Sequence, residues 1–232
     1  MLISLTNVSH EYQTGGAVRK VLRDVNLSFD QARVGVIGHN GSGKSTFARL
    51  LNGLIIPTHG QVSVDGFSTA DQVKQVRQRV GFLFTDPDAQ IIMPTVAEDV
   101  AFGLRKSGLP KAERQQLVME LLTRFGLAEH ADHPAHLLSG GQKQLLALAS
   151  VLITGPQLVV MDEPTTLLDL RNAAMIRRVI AELDQQVVLV THHLDQLRDF
   201  DRVIVFDDGQ IVADDEPGPA IDCYLRLMAA EL

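Results

Sequence analysis

Gly38-His39-Asn40-Gly41-Ser42-Gly43-Lys44-Ser45-Thr46 has the residue types and spacing of a phosphate-binding loop, G-x-x-x-x-G-K-[ST]. Glycines at 38, 41 and 43 leave room for a chain that curls around an anion with its N–H groups pointing inward. The partial positive charge at the start of a following helix adds to them. In such a loop Lys44 reaches the outer phosphates and the Ser45 hydroxyl completes a Mg²⁺ shell, while Asn40, Ser42 and Thr46 complete the cradle. A second reactive pair, Asp162-Glu163, ends the most apolar run of the chain, Leu158-Val159-Val160-Met161. Adjacent carboxylates at a strand tip face opposite sides. Beside a nucleotide, one can hold a metal's water shell and the other can polarise an attacking water.

Three further groups have spacing that could do chemistry. His192 follows the buried run Val187-Val188-Leu189-Val190, and at the C-terminal edge of a parallel sheet it faces the ligand crevice. Ser139-Gly140-Gly141-Gln142 opens a helix with capping-box spacing. Its two glycines are not needed for a cap and mark a backbone that something approaches closely. His130, His133 and His136 recur every three residues. No cysteine stands near to complete a metal site, and a polar turn around Pro134 is the better reading.

The elements that must position these groups follow from hydrophobic periodicity. The run Val34-Gly35-Val36-Ile37 predicts a strand before the phosphate loop. Phe47, Leu50, Leu51 and Leu54 predict an amphipathic helix after it. Residues 2–8, 21–29 and 60–66 read as antiparallel strands, the last closed by an Asp65-Gly66 turn; in 21–29 the apolar positions are Val21, Val25, Leu27 and Phe29. A short helix is expected within 71–79, and buried strands over 80–84, 158–161 and 187–190. A hairpin is expected around Asp208-Gly209 and a terminal helix over 219–232. From about 86 to 155 no β-branched strand run appears, and helices are expected over 95–104, 111–125 and from 139 onward. The implied organisation is one α/β domain over 1–232. Its core and antiparallel layer fall in 1–85 and 156–232, with a helical subdomain at 86–155.

With 232 residues the chain can bury a sizeable core. Its 45% hydrophobic content is scattered in short runs, none as long as a membrane-spanning helix, and the first residues carry no secretory pattern. A net charge of −7 argues against a general nucleic-acid binder. Cys223 is the single cysteine, so no internal disulfide and no cysteine-built metal site is possible.

These motifs resemble those of the ATP-binding-cassette (ABC) ATPases, over nearly the whole chain. The phosphate loop is shared by many NTPases, whereas Leu138-Ser139-Gly140-Gly141-Gln142, between that loop and Asp162, is similar to the signature sequence peculiar to this family. The resemblance implies an ABC nucleotide-binding domain: a RecA-like parallel-sheet core, an antiparallel β subdomain and a helical subdomain. It implies ATP and Mg²⁺ as ligands, and Tyr12 as the aromatic that stacks on adenine. It also implies Asp162 as the metal-binding carboxylate, Glu163 as general base, Asp169 as the aspartate of the loop that follows, and His192 as the switch histidine at the γ-phosphate. Two cassettes pack head to tail in the family, so Ser139 to Gln142 of one chain would cover ATP held by residues 38–46 of the other.

Thr85-Asp86-Pro87-Asp88-Ala89-Gln90 and the run from Pro94 to Gly103 resemble the ATPases of energy-coupling-factor importers of vitamins and metal ions. That likeness implies a transmembrane coupling protein, a membrane-embedded substrate-binding protein and a second ABC ATPase chain, an identical copy being favoured. It also implies a peripheral position on the cytoplasmic face of the cell membrane. The region of Gln90 would lie beside the groove for the coupling protein. Thr85-Asp86-Pro87-Asp88-Ala89-Gln90 together with Thr165-Thr166-Leu167-Leu168-Asp169 looks most like the biotin-uptake members, with cobalt or nickel as the alternative.

The chain departs from the family pattern at Thr85, where a glutamine usually touches metal and attacking water. Threonine is shorter by two heavy atoms but can still ligate Mg²⁺. The loop before Asp169 is bulkier than usual, and Leu145 replaces a common arginine. The competing readings are an ABC ATPase without a membrane partner and an ATP-binding regulator with weak hydrolysis.

Overall fold

The computed structural model describes residues 1–15 and 17–230. In chain order the elements are β1 (Ile3–Thr14), β2 (Ala17–Phe29), β3 (Arg33–Gly38), α1 (Lys44–Leu51), β4 (His59–Val64), β5 (Phe67–Ser68), α2 (Val73–Arg77) and β6 (Val80–Leu83). Then follow α3 (Val96–Phe102), α4 (Lys111–Arg124), α5 (Gly140–Leu152), β7 (Leu158–Asp162), α6 (Leu170–Ala181), β8 (Gln186–Val190), β9 (Arg202–Asp207), β10 (Gln210–Asp215) and α7 (Pro217–Ala230). The end of the expected terminal helix, residues 231 and 232, lies outside the described residues. Two compact units result: Met1–Val80 with Gln157–Asp162 and Gln185–Leu232, and Gly81–Pro156 with Glu163–Asp184.

In the first unit, β3 pairs in parallel with both β8 and β9, and β8 in parallel with β7. Every residue of β7 and β8 is buried, as is β3 beyond Arg33, so these strands read as unbroken apolar runs rather than alternating ones. Their carboxyl ends carry Gly38, Asp162 and Thr191, the edge where open α/β sheets bind ligands. β10 returns antiparallel to β9 through Asp208 (φ 42°) and Gly209 (φ 78°), the two left-handed residues of a tight hairpin. Arg202 on β9 forks onto Asp214 of β10 and also donates to the Ser28 carbonyl. The bonds it donates to Asp214, reinforced by the carboxylate charge, raise the guanidinium pKa above its ordinary value.

The antiparallel layer has strand order β2-β1-β4-β5. β1 and β2 are longer than the periodicity predicts, and the inward residue near the start of β2 is Leu22, not Val21. A register shift between the pairs Val8↔Val25 and His10↔Leu22 explains this, since one extra residue on β2 inverts the alternation. Asp24 sits there at φ 48°.

The second unit is helical around α5, whose apolar residues Leu145, Leu146, Ala147, Leu148 and Ala149 are all buried. Capping boxes start α3 (Thr95 with Glu98) and α5 (Ser139 with Gln142). Asp99, 3% exposed, accepts from the Ile92 and Met93 N–H groups and from Ser150 Oγ. A buried carboxylate thus gains three donors and ties the loop before α3 to α5.

Candidate active site

The phosphate loop adopts backbone that side chains would resist. Gly41 and Gly43 have φ of 89° and 105°, and a Cβ on Gly38 would lie 2.2 Å from the Phe206 carbonyl oxygen. A Cβ on Gly43 would lie 2.7 Å from the Val21 carbonyl oxygen, so β2 and the β9–β10 turn brace the loop from behind. Gly43 also caps α1 without any side-chain acceptor, so no capping side chain competes with an anion at the start of the helix. Lys44, 6% exposed, donates from Nζ to the carbonyls of Gly38 (2.7 Å) and His39 (2.8 Å), which holds its ammonium at the centre of the loop.

Ser45 Oγ donates to Asp162 Oδ1 at 2.8 Å, across 117 residues of sequence. Asp162 is buried at the tip of β7, with Arg49 Nη2 3.7 Å from its other oxygen. A hydroxyl and a carboxylate in contact are the hard oxygen donors that Mg²⁺ takes, so the residues present fit the ion. The Tyr12 hydroxyl lies 3.3 Å from Thr46 Oγ1, which places the aromatic beside the end of the loop. His192 follows buried Thr191, whose N–H donates to the Val36 carbonyl; this sets the histidine at the carboxyl edge of β8. Tyr12, residues 38–46, Asp162 and His192 are therefore gathered in the first unit.

Thr85, Ser139 to Gln142, Glu163 and Asp169 belong to the second unit. Glu163 has φ 54°, a left-handed backbone that costs a residue with a side chain on the order of 1 kcal/mol. Its Oε2 accepts from Thr166 Oγ1 at 2.8 Å, which orients the carboxylate. Asp169 caps α6: its two oxygens accept from the Asn172 N–H and from Asn172 Nδ2. The close approach expected at the paired glycines comes at Gly141 from within the chain, since a Cβ there would lie 2.3 Å from the Asn172 side chain. Gly140 is exposed, and a Cβ there would have only an ordinary contact, with Leu168. His136 is exposed, and among the described residues no cluster of three His, Cys, Asp or Glu could hold a metal.

Two residues escape the motif reading. Arg19 is the cross-strand partner of Tyr12, with Nη2 3.4 Å from where a Cβ on Gly41 would sit. His39 ties the loop to β9, with Nε2 3.1 Å from Asp207 Oδ1. Only the register of β1 on β2, and the end of β9, could have revealed them.

Residues 22–166 match the family described as ABC transporter. The chain is 48% identical to a biotin transport ATP-binding protein BioM of Rhizobium etli, over 91% of this chain and 94% of that protein. It is 42% identical to an energy-coupling factor transporter ATP-binding protein EcfA1 of Caldanaerobacter subterraneus subsp. tengcongensis, covering 93% and 81%. Among solved structures it resembles a dimeric ATP-binding cassette in a post-hydrolysis state bound to ADP and Pi. There the TM-score is 0.82 and the identity 29%, with 93% of this chain and 98% of that chain covered.

Proposed function

The chain belongs to the ABC transporter family of ATPases, and from that premise we propose that it powers an energy-coupling-factor importer, with biotin as the favoured cargo. The ATPase reading rests above all on the 2.8 Å bond between Ser45 and Asp162, which joins the phosphate loop to the carboxylate at the tip of β7. The importer reading is supported by the relatives named for energy-coupling-factor and biotin transport. Its partners would be a transmembrane coupling protein, a membrane-embedded substrate-binding protein and a second copy of this chain. Among the described residues no helix is long and apolar enough to cross a membrane; the relatives named as transporter subunits support a peripheral position on the cytoplasmic face.

In this mechanism the N-terminus of α1 and the Lys44 ammonium receive the phosphates of ATP, and Tyr12 stacks on its adenine. Ser45 and Asp162 would hold Mg²⁺, with Thr85 proposed as a further ligand on the family resemblance, and the ion would neutralise phosphate charge when bound. Glu163, oriented by Thr166, takes the proton of the attacking water, and His192 contacts the γ-phosphate. In the head-to-tail reading, the donors on the far side of that phosphate come from the second chain. The partner's Ser139 hydroxyl and the N–H groups at its Gly140 and Gly141 provide them when the two cassettes close, with Asp169 in the adjoining loop. Phosphoryl transfer is mostly positioning and electrostatics, so hydrolysis waits for closure.

Two measurements test this. Ser139→Arg is expected to abolish turnover while ATP still binds, because Ser139 serves the other chain's nucleotide; loss of ATP binding would contradict the assignment. Deleting the gene and following uptake of labelled biotin and of cobalt tests the cargo. Normal biotin uptake in a strain with no second biotin importer would remove biotin from the proposal.

A further inference from the structure

We infer that His130 is a positioning residue for the signature segment, locking the Gln142 side chain that holds Ser139 in place; this rests on the head-to-tail reading above. The Ser139 N–H donates to Gln142 Oε1 at 2.9 Å, and Ser139 Oγ accepts from the Gln142 N–H at 3.3 Å. With its oxygen thus engaged, Gln142 turns its amide nitrogen outward, and Nε2 lies 3.0 Å from His130 Nε2. An amide nitrogen can only donate, so His130 Nε2 accepts and the ring proton sits on Nδ1. His130 Nδ1 lies in turn 3.0 Å from His133 Nδ1, which must accept. One arrangement of protons satisfies every contact: Gln142 to His130 to His133, with both rings neutral.

The platform beneath this relay is backbone-bonded. The His133 N–H donates to the His130 carbonyl at 2.9 Å. The N–H groups of Val96 and Ala97, at the start of α3, donate to the carbonyls of His133 and Ala131. Ala135 N–H donates to the Pro94 carbonyl at 2.9 Å. The histidine turn is thereby fixed to α3, and Gln142 is held from outside its own helix. A capping box needs only Ser139 and Gln142; the third member restricts the glutamine to the rotamer in which its oxygen faces the Ser139 N–H. Groups that meet a transition state need placement to within about 0.5 Å. The expected consequence is therefore on kcat, since this chain's own ATP is held by residues 38–46.

The test is steady-state ATP hydrolysis by the full chain against ATP concentration. His130→Ala should lower kcat about five- to tenfold, the value of one net hydrogen bond, with KM within about twofold of wild type. His130→Gln, whose amide oxygen reaches about as far as the ring Nε2 and can accept, should recover most of that loss. His133→Ala should cost less, because it removes only the second link. In a double-mutant cycle, His130→Ala should add nothing to Gln142→Ala. Wild-type kcat in His130→Ala, a loss that appears in KM instead, no rescue by glutamine, or independent effects of the two alanines would each overturn the inference. Ser139→Arg separates the two levels. Turnover surviving in Ser139→Arg would remove the head-to-tail reading itself. A dead Ser139→Arg beside a normal His130→Ala would remove only the role of His130.

Discussion

Thr85 offers a hydroxyl oxygen on a short side chain, and its proposed role in holding Mg²⁺ is measurable. If its hydroxyl ligates Mg²⁺, Thr85→Val keeps the shape and removes the donor. One lost charge-assisted contact is worth roughly 1.5–3 kcal/mol, or about ten- to a hundredfold in turnover. Titrating Mg²⁺ against ATPase rate in the variant is the measurement; an unchanged curve would leave the ion to Ser45 and Asp162. At this scale the sequence was most informative where chemistry is written in short spacings. The phosphate loop, Asp162-Glu163 and Ser139 to Gln142 are each contiguous, so their residue types reveal them before any fold is known. Arg19 beside Gly41, and His39 beside Asp207, were not legible, because each depends on a strand register that spacing does not encode. The histidines at 130 and 133 were legible as a polar turn, yet the bond from Gln142 to His130, and from His130 on to His133, required the turn to fold back on the start of α5.

Elements were legible where one side faces solvent and less so where neighbours decide. The helices of 111–125 and 95–104 and the hairpin at Asp208-Gly209 formed close to where periodicity put them. β2 changed phase because of its bulge, which inverts the inward set without altering composition. Gly141 shows an element-level constraint with a testable cost. Asn172 of α6 fills the space a side chain would need, and its own amide is tied to Asp169 at 3.0 Å. Gly141→Ala must therefore displace Asn172 from the cap of α6, at about 1–3 kcal/mol for an overpacked contact. Urea unfolding should show the midpoint falling with the slope unchanged. Asn172→Ala in the same chain should relieve part of that loss, since it removes the Cγ and Oδ1 at 2.3 Å and leaves only the Cβ at 2.7 Å. A Gly141→Ala midpoint equal to wild type would mean that α5 and α6 can separate freely.

For the whole molecule, the proposed mechanism draws its residues from both units. The first unit gathers the phosphate loop, Tyr12, Asp162 and His192. The second holds Glu163, whose carboxylate is aimed by Thr166, and the signature serine with its glycines. In the proposed mechanism ATP binding draws two chains together, and hydrolysis releases them. Removing the base while keeping shape and hydrogen bonding should then separate the two halves of the cycle. Glu163→Gln keeps the side-chain length and loses the negative charge that accepts the proton, so nucleotide binding should persist while turnover falls by several orders of magnitude. The closed pair should accumulate, because the step that opens it no longer occurs. Size-exclusion chromatography of Glu163→Gln with saturating ATP is expected to show a dimer that reverts to monomer when ATP is replaced by ADP. Lys44→Ala in the same background should prevent the dimer, since it removes the ammonium from the centre of the phosphate loop. A Glu163→Gln chain that binds ATP yet stays monomeric would show that two chains do not close on nucleotide alone. The closure would then have to be supplied by the membrane partner.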